Sequence, residues 1–195
     1  MKNYTGKRHR VWHPDKKKNH MIVGRNKTYC RKEEVVIMEN KLEAGNIITY
    51  GGMDWIALDV EQEKVFVLAK ESIGCMPFDK NGDNDFIGST LFAYLNGAFI
   101  KELEANGADT SVIEQSQINT IVSARVSLLS VEEYVKYEDV IPNIGDWWWL
   151  RSPGDYRYLA AAVRTDGSVA HYGLFVDLDY AVRPVMWLKR SALRA

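Results

Sequence analysis

The densest group of possible metal ligands is the segment 79–85, which carries three aspartates and two asparagines. Carboxylate and amide oxygens in a short loop are typical of calcium sites, and the EF-hand loop requires glycine at its sixth position and glutamate at its twelfth. Counted from Asp79, those two positions are Asn84 and Thr90. The pattern therefore fails, and we expect a solvated turn that holds no metal.

Histidines and cysteines offer little more. His9, His13 and His20 with Cys30 are a possible zinc set, but the segment contains no Cys-x-x-Cys pair. Beyond residue 34, His171 is the only histidine, and no nucleophile, phosphate-loop or dinucleotide motif occurs. We therefore expect a protein that is not an enzyme and that uses no cofactor.

The segment 154–182 has an unusual composition. Its 29 residues include no Lys, Glu, Gln, Met or Trp, although these five types occupy 42 of the other 166 positions. Strand and turn preferences explain the missing Lys and Glu, but they do not explain the missing Trp. The segment is rich instead in Tyr, Asp, Arg and His. Because tyrosine gives a large contact area at little entropic cost, this composition indicates a ligand-binding surface.

Three consecutive strands are predicted in the first half of the chain. Gly51-Gly52 separates two β-rich runs, residues 46–50 and 53–60, as in a β-hairpin. Residues 64–69 continue the pattern and complete a meander. Residues 125–129 are predicted as a further strand.

Two helices are predicted around this later strand. Ser89 is a suitable N-cap for a helix that ends at Asn106-Gly107. Ser130 followed by Glu133 has the pattern of a capping box and predicts the second helix.

The C-terminal third is predicted to contain mainly short strands. An aromatic strand is predicted over residues 147–151 and should be stopped by Ser152-Pro153-Gly154, with further turns at Asp166-Gly167 and Gly173. Residues 182–188 predict a last strand, which should lie near the first ones. Because strands and helices do not alternate regularly, we expect an α+β fold.

The charge is distributed unevenly, although the whole chain has a net charge of −1. Residues 1–34 contain 11 Lys and Arg against three acidic residues, whereas residues 35–195 contain 14 against 23. We interpret residues 1–41 as a basic N-terminal arm, partly disordered or loosely packed, with a short strand at 21–23. Residues 42–195 would form the domain, whose acidic balance disfavours nucleic acid as the partner of the arm.

Targeting signals are not found in the sequence. The N-terminus has charged residues with no apolar run after them, and no apolar run is long enough for a membrane span. The two cysteines, Cys30 and Cys75, give no disulfide framework. We expect a protein that is made in the cytoplasm and does not insert into a membrane, while display on a virion or a cell surface stays open.

Several ordered motifs resemble a family of bacterial and phage domains, over about residues 42–189. The matching residues are 46–68, Ser89-Thr90-Leu91, Tyr94-Leu95-Asn96-Gly97, Trp148-Trp149-Leu150-Arg151-Ser152-Pro153-Gly154, Asp166-Gly167-Ser168, Val182-Arg183-Pro184 and Trp187-Leu188. The resemblance implies a C-type-lectin-like fold of the formylglycine-generating-enzyme kind, an α+β fold with two helices and a twisted antiparallel sheet.

Some members of this family resemble the variable proteins of diversity-generating retroelements. In those systems, mutagenesis at template adenines diversifies selected codons near the C-terminus, commonly AAC. Randomised AAC codons cannot encode Lys, Glu, Gln, Met or Trp, the five types missing from residues 154–182. The resemblance implies a non-catalytic protein that binds a protein or another macromolecule through a variable region at about residues 147–188.

The resemblance also separates scaffold positions from displayed ones. Arg151 and Arg183 are expected to be buried partners of carboxylates or carbonyls, and Trp148, Trp149 and Trp187 to lie in the core or beneath the site. The ligand-binding positions, called here the display residues, are Asp155, Tyr156, Arg157, Tyr158, His171, Tyr172, Leu174, Phe175, Asp177, Leu178, Asp179 and Tyr180.

Two alternatives come from other functional classes. One is an oxidase of the formylglycine-generating kind, and the other is a structural module of a phage or cell-surface assembly. The enzymes use reactive cysteines in their C-terminal half, and this chain has no cysteine after Cys75. The resemblance therefore does not imply the oxidase activity for this chain.

Overall fold

The computed structural model describes residues 41–193. The arm predicted for residues 1–41, with its short strand and its zinc-type residues, lies outside the described residues apart from Lys41. No helix in the described part is long and apolar enough to cross a membrane. Within residues 41–193, the three α-helices are α1 (Thr90–Leu95), α2 (Ala98–Ala105) and α3 (Val131–Tyr137). The strands are β1 (Ile47–Tyr50), β2 (Met53–Val60), β3 (Lys64–Ala69), β4 (Cys75–Pro77), β5 (Ile113–Glu114), β6 (Ser116–Gln117), β7 (Ser123–Ala124), β8 (Trp148–Pro153), β9 (Leu159–Val163), β10 (Val169–Phe175), β11 (Asp179–Ala181) and β12 (Val185–Lys189).

The strands form two five-stranded sheets and a small hairpin of β6 and β7 within residues 41–193. The first sheet has the order β1-β2-β3-β12-β5, and the second has the order β10-β9-β8-β11-β4. Neighbouring strands are antiparallel, except for a parallel contact between β8 and β11. This arrangement is α+β, as predicted. β12 pairs with β3, so the last strand lies in the same sheet as the first ones, which confirms that prediction.

Both sheets send alternate side chains into two apolar clusters, because successive residues of a strand point to opposite faces. Trp55 and Trp149 belong to the first cluster, which α1 and α2 complete with residues such as Leu95 and Phe99. Trp148 belongs to the second cluster, to which α3 contributes Tyr134. The strands are therefore covered on both faces, and the loops at their ends are anchored to a packed core.

Local signals predicted several boundaries correctly. The β1–β2 hairpin turns at Gly51 and Gly52, whose φ values of +60° and +75° suit glycine. Ser89 caps α1, and Ser130 and Glu133 bond reciprocally to each other's backbone N–H at the start of α3.

The helix predicted from Ser89 to Asn106 is interrupted at Asn96-Gly97 and is two helices, so three helices replace the expected two. The Asn96 side chain donates to the carbonyl oxygen of Val126 at 2.9 Å and accepts from the backbone N–H groups of Arg125 and Val126. Asn96 therefore ends α1 and also fixes the position of a segment about 30 residues later in the chain.

The same contacts explain why the strand predicted at 125–129 is wrong. Asn96 satisfies two of its backbone N–H groups, and Arg151 donates to the carbonyl oxygen of Leu128. Ser127 forms an isolated bridge with Val185 through two backbone bonds, and the carbonyl oxygen of Leu129 accepts from the backbone N–H of Arg151, but no continuous strand results.

Three boundaries in the C-terminal third differ from prediction. β8 continues through Ser152 to Pro153. Gly173 is not a turn, but lies within β10 at a bulge, with φ at +92°. The last strand begins at Val185, because residues 182–184 cross from the second sheet to the first. Arg183 fixes this crossing by donating to the carbonyl oxygens of Ala69 and Lys70, each at 3.0 Å.

Two of the three tryptophans predicted for the core are buried. Trp148 and Trp149 are at most 1% exposed. Trp187 is only partly buried and belongs to the first sheet, not to the second sheet that carries the display residues. One face of its ring stacks on Phe66, with centroids 5.0 Å apart, and Lys64 Nζ lies 4.2 Å from its centroid.

Candidate ligand-binding surface

The display residues belong to the loops and strand ends of the second sheet. They lie in the β8–β9 loop at residues 154–158, in the second half of β10 and in the turn and short strand that follow it. Ten of the twelve are exposed, while Leu174 and Tyr180 are half-buried. None of the twelve is buried, so all are accessible to a ligand at least in part.

Three aromatic display residues form a continuous stack, called here the aromatic stack. The rings of Tyr156 and Tyr158 are 5.6 Å apart and inclined by 4°, and those of Tyr158 and Phe175 are 5.7 Å apart and inclined by 13°. Their exposed fractions are 60%, 47% and 55%. Leu178, in the turn after Phe175, is also exposed. Large apolar side chains exposed side by side are typical of interaction surfaces.

Backbone contacts hold the loops that carry the aromatic stack. The backbone N–H of Val176 donates to the carbonyl oxygen of Tyr158 at 3.1 Å, and Val176 itself is buried. The N–H of Asp155 donates to the carbonyl oxygen of Tyr172 at 3.0 Å. These bonds join the β8–β9 loop to β10 and to the turn after it.

Residues 79–85, called here the supporting loop, also hold the β8–β9 loop. Asn84 Nδ2 donates to the carbonyl oxygens of Tyr156 at 3.0 Å and Leu159 at 2.8 Å. Asp83 Oδ2 accepts from Arg157 Nε at 2.9 Å and from a second guanidinium nitrogen at 2.6 Å. The sequence did not predict this role. The density of Asn and Asp was its only signal, because these side chains readily bond to backbone groups.

Asp79 orders the supporting loop from within. It is 1% exposed, and its carboxylate accepts from the backbone N–H groups of Asn81, Asp83 and Thr90 at 3.0 to 3.2 Å. The prediction of a solvated turn is therefore wrong for this residue. Within residues 41–193, no group of three His, Cys, Asp or Glu side chains is placed to hold a metal ion.

Two other aromatic display residues, Tyr172 and Tyr180, are linked through Arg164 and Trp147. The Arg164 guanidinium lies 5.5 Å from the ring centroid of Tyr172 and 5.8 Å from that of Trp147. Tyr180 packs against Trp147 and, edge to face at 5.1 Å, against Trp149. Among the described residues, no ring contact joins this group to the aromatic stack, so the two groups are separate.

His171 and Tyr172 are successive residues of β10, and the side chains of both are exposed. The ring of Tyr172 lies beside Arg164. The bulge at Gly173 explains why two successive residues of β10 are both exposed.

The two framework arginines have the predicted roles. Arg151 forms a two-pronged ion pair with Glu133 and donates to the carbonyl oxygen of Leu128 at 2.7 Å. Arg183 is fully buried, and its guanidinium lies 4.9 Å from the ring centroid of Trp148. Burial lowers the pKa of Arg183 to about 10, so the side chain stays protonated at neutral pH.

Comparison with known proteins gives one match. A family model described as a domain of unknown function (DUF6273) matches residues 132–190, which run from α3 to the end of β12 and include every display residue. Comparison with curated proteins gives no match. Comparison with solved structures gives no match either.

Proposed function

We propose that this protein is a non-catalytic binding protein with a C-type-lectin-like fold, and that its C-terminal segment displays a variable surface like those of diversity-generating retroelement proteins. One observation carries the proposal. The segment that lacks five residue types, 154–182, supplies the exposed loops and strand ends of the second sheet, between the buried strands β8 and β12.

The interior and the exterior of this segment differ in a way that suits variation. Its buried positions are mainly small or β-branched, as at Ala160, Ala162, Ala170 and Val163. Ten of its twelve display residues are exposed, and substitutions at exposed positions usually change stability by less than about 0.5 kcal/mol. A fixed interior with a replaceable exterior allows many surfaces on one scaffold.

The shape of the surface favours a macromolecular ligand. The aromatic stack is open to solvent, and its rings offer contact area rather than enclosure. Small molecules are usually held in concave pockets, whereas protein interfaces use exposed aromatic side chains as anchors. We expect a protein or another macromolecule as the ligand.

Genomic context tests the retroelement part of the proposal. We expect the DNA beside the gene to contain a reverse transcriptase and an imperfect repeat of the segment that encodes residues 154–182, with differences confined to adenines of the template. Neighbouring DNA that carries neither would contradict diversification, although a binding role would still be open to the next experiment.

Alanine substitution of the aromatic stack tests the binding role. The triple variant Y156A/Y158A/F175A should lose binding to peptides selected on the full-length protein, with a melting temperature close to that of the wild type, because all three rings are about half-exposed. The matched control is I47A/I121A/V135A, which removes three exposed apolar side chains elsewhere and should leave binding intact. Equal binding by the triple variant and the wild type would contradict the proposal.

A further inference from the structure

We infer that the partner of the aromatic stack presents lysine or arginine side chains, as a cationic protein or peptide surface. This inference depends on the proposed function, since it takes the aromatic stack as the binding surface. It adds the chemistry of the partner, which the variable surface alone does not specify.

Exposed carboxylates accompany the aromatic stack along the chain. Asp155 precedes Tyr156, and Leu178 is flanked by Asp177, in the turn after Phe175, and by Asp179, the first residue of β11. All three aspartates are exposed, and their side chains make no hydrogen bond or ion pair with any residue in the range 41–193. They are available to the side chains of a partner.

Positive charge is scarce in the segments that carry and support the aromatic stack. Residues 79–85, 154–158 and 175–179 together contain six aspartates, of which only Asp79 is buried, against two basic residues, Lys80 and Arg157. Arg157 is already engaged by Asp83. The surface thus has a net negative charge that complements a cationic partner and repels an anionic one, such as a nucleic acid.

The rings add a second attraction for the same groups. The outer faces of Tyr156 and Phe175 stack on no other aromatic or cationic group of the described residues. A guanidinium or ammonium group over such a face is attracted by the ring quadrupole, and a carboxylate beside the ring can pair with the same cation. Arg164 over Tyr172 shows this contact in the chain itself.

Two peptides of opposite charge test the inference on the full-length protein. Fluorescence anisotropy would compare an alternating arginine–serine peptide with an alternating glutamate–serine peptide. We expect the arginine peptide to bind more tightly, and its affinity to fall with ionic strength because exposed charges are screened. Binding should weaken about tenfold in D155N/D177N/D179N, which removes three surface ion-pair partners.

The matched control is E63Q/E138Q/D139N, which removes three exposed acidic side chains from segments that neither carry nor support the aromatic stack. It should bind the arginine peptide like the wild type. Equal loss of binding in both triple variants would overturn the inference, because the attraction would then come from the overall charge of the protein. Equal binding of the two peptides would also overturn it, because the surface would then have no preference for positive charge.

Selection from a random peptide library separates this inference from the proposed function. Selected peptides that lose binding in Y156A/Y158A/F175A support the aromatic stack as the site. If such peptides show no enrichment in Lys and Arg, the cationic partner is wrong and the binding surface stands. If no selected peptide depends on the aromatic stack, the proposed function itself fails.

Discussion

At the scale of single residues, one buried carboxylate determines the course of the supporting loop. Asp79 is itself buried, and it accepts from three backbone N–H groups that have no other hydrogen-bond partner among residues 41–193. D79A should therefore lower the free energy of unfolding by about 1–3 kcal/mol. Urea denaturation would measure the change, with D139N, at an exposed position, as the control that should stay within about 0.5 kcal/mol of the wild type. A wild-type value for D79A would contradict this role.

The pair of Asp83 and Arg157 gives a prediction on pH. The hydrogen bond from Arg157 is the main cause that lowers the pKa of Asp83. A carboxyl group whose pKa is lower in the folded than in the unfolded protein stabilises the fold at pH values above its unfolded-state pKa. This stabilisation is lost as the pH falls through the folded-state pKa. R157Q should raise the pKa of Asp83 towards the ordinary value of an aspartate, because the main cause of the lowering is removed. An NMR titration of the Asp83 carboxyl carbon in both proteins would measure this shift, and identical curves would contradict it.

At the scale of elements, two glycines allow the β8–β9 loop and β10 to approach each other. A Cβ atom on Gly154 would lie 2.5 Å from the carbonyl oxygen of Tyr172 and 3.0 Å from the Cα of Gly173. A Cβ atom on Gly173 would lie 2.9 Å from the Cβ of Leu159. The bulge and the loop thus pack backbone against backbone, which only glycine permits at these distances.

Alanine at Gly173 tests this contact against a matched glycine. Gly107 has a similar positive φ, +86° against +92°, but a Cβ atom there would meet nothing within 4 Å. G107A and G173A share the backbone strain, so the difference between them reports the clash. We expect G173A to be less stable by a further 1–3 kcal/mol, roughly. Equal melting curves for the two variants would show that the loop relaxes without loss.

The elements predicted from sequence are those whose signals are local. The turn at Gly51-Gly52 and the capping box at Ser130 need only their own neighbours, and both were correct. The strand expected at 125–129 failed because Asn96, about 30 residues earlier, satisfies its N–H groups.

The candidate surface divides in the same way. The composition of residues 154–182 indicated a ligand-binding surface, and this composition can be read directly from the sequence. The role of Asn84 depends on partners 72 and 75 residues later, so no local pattern could indicate it. Distant contacts of this kind are fixed by the fold, and propensity does not report them.

At the scale of the whole molecule, the last strand completes the first sheet. β12 lies between β3 and β5 and buries Val185, Met186 and Leu188. A chain that ends at residue 184 should lack cooperative unfolding and dispersed NMR signals, because it exposes two strand edges and the apolar cluster beneath them. A chain that ends at residue 190 retains β12 and is the control. A folded 184-residue chain would contradict this role of β12.

The position of β12 has a consequence for how errors in the displayed segment are handled during protein synthesis. The ribosome makes residues 154–182 before β12, so a premature stop or a frameshift within them also removes the strand that closes the first sheet. Such products cannot complete the core and are open to proteases. We therefore expect that only chains translated through β12 fold and present this surface, and that truncated chains are degraded.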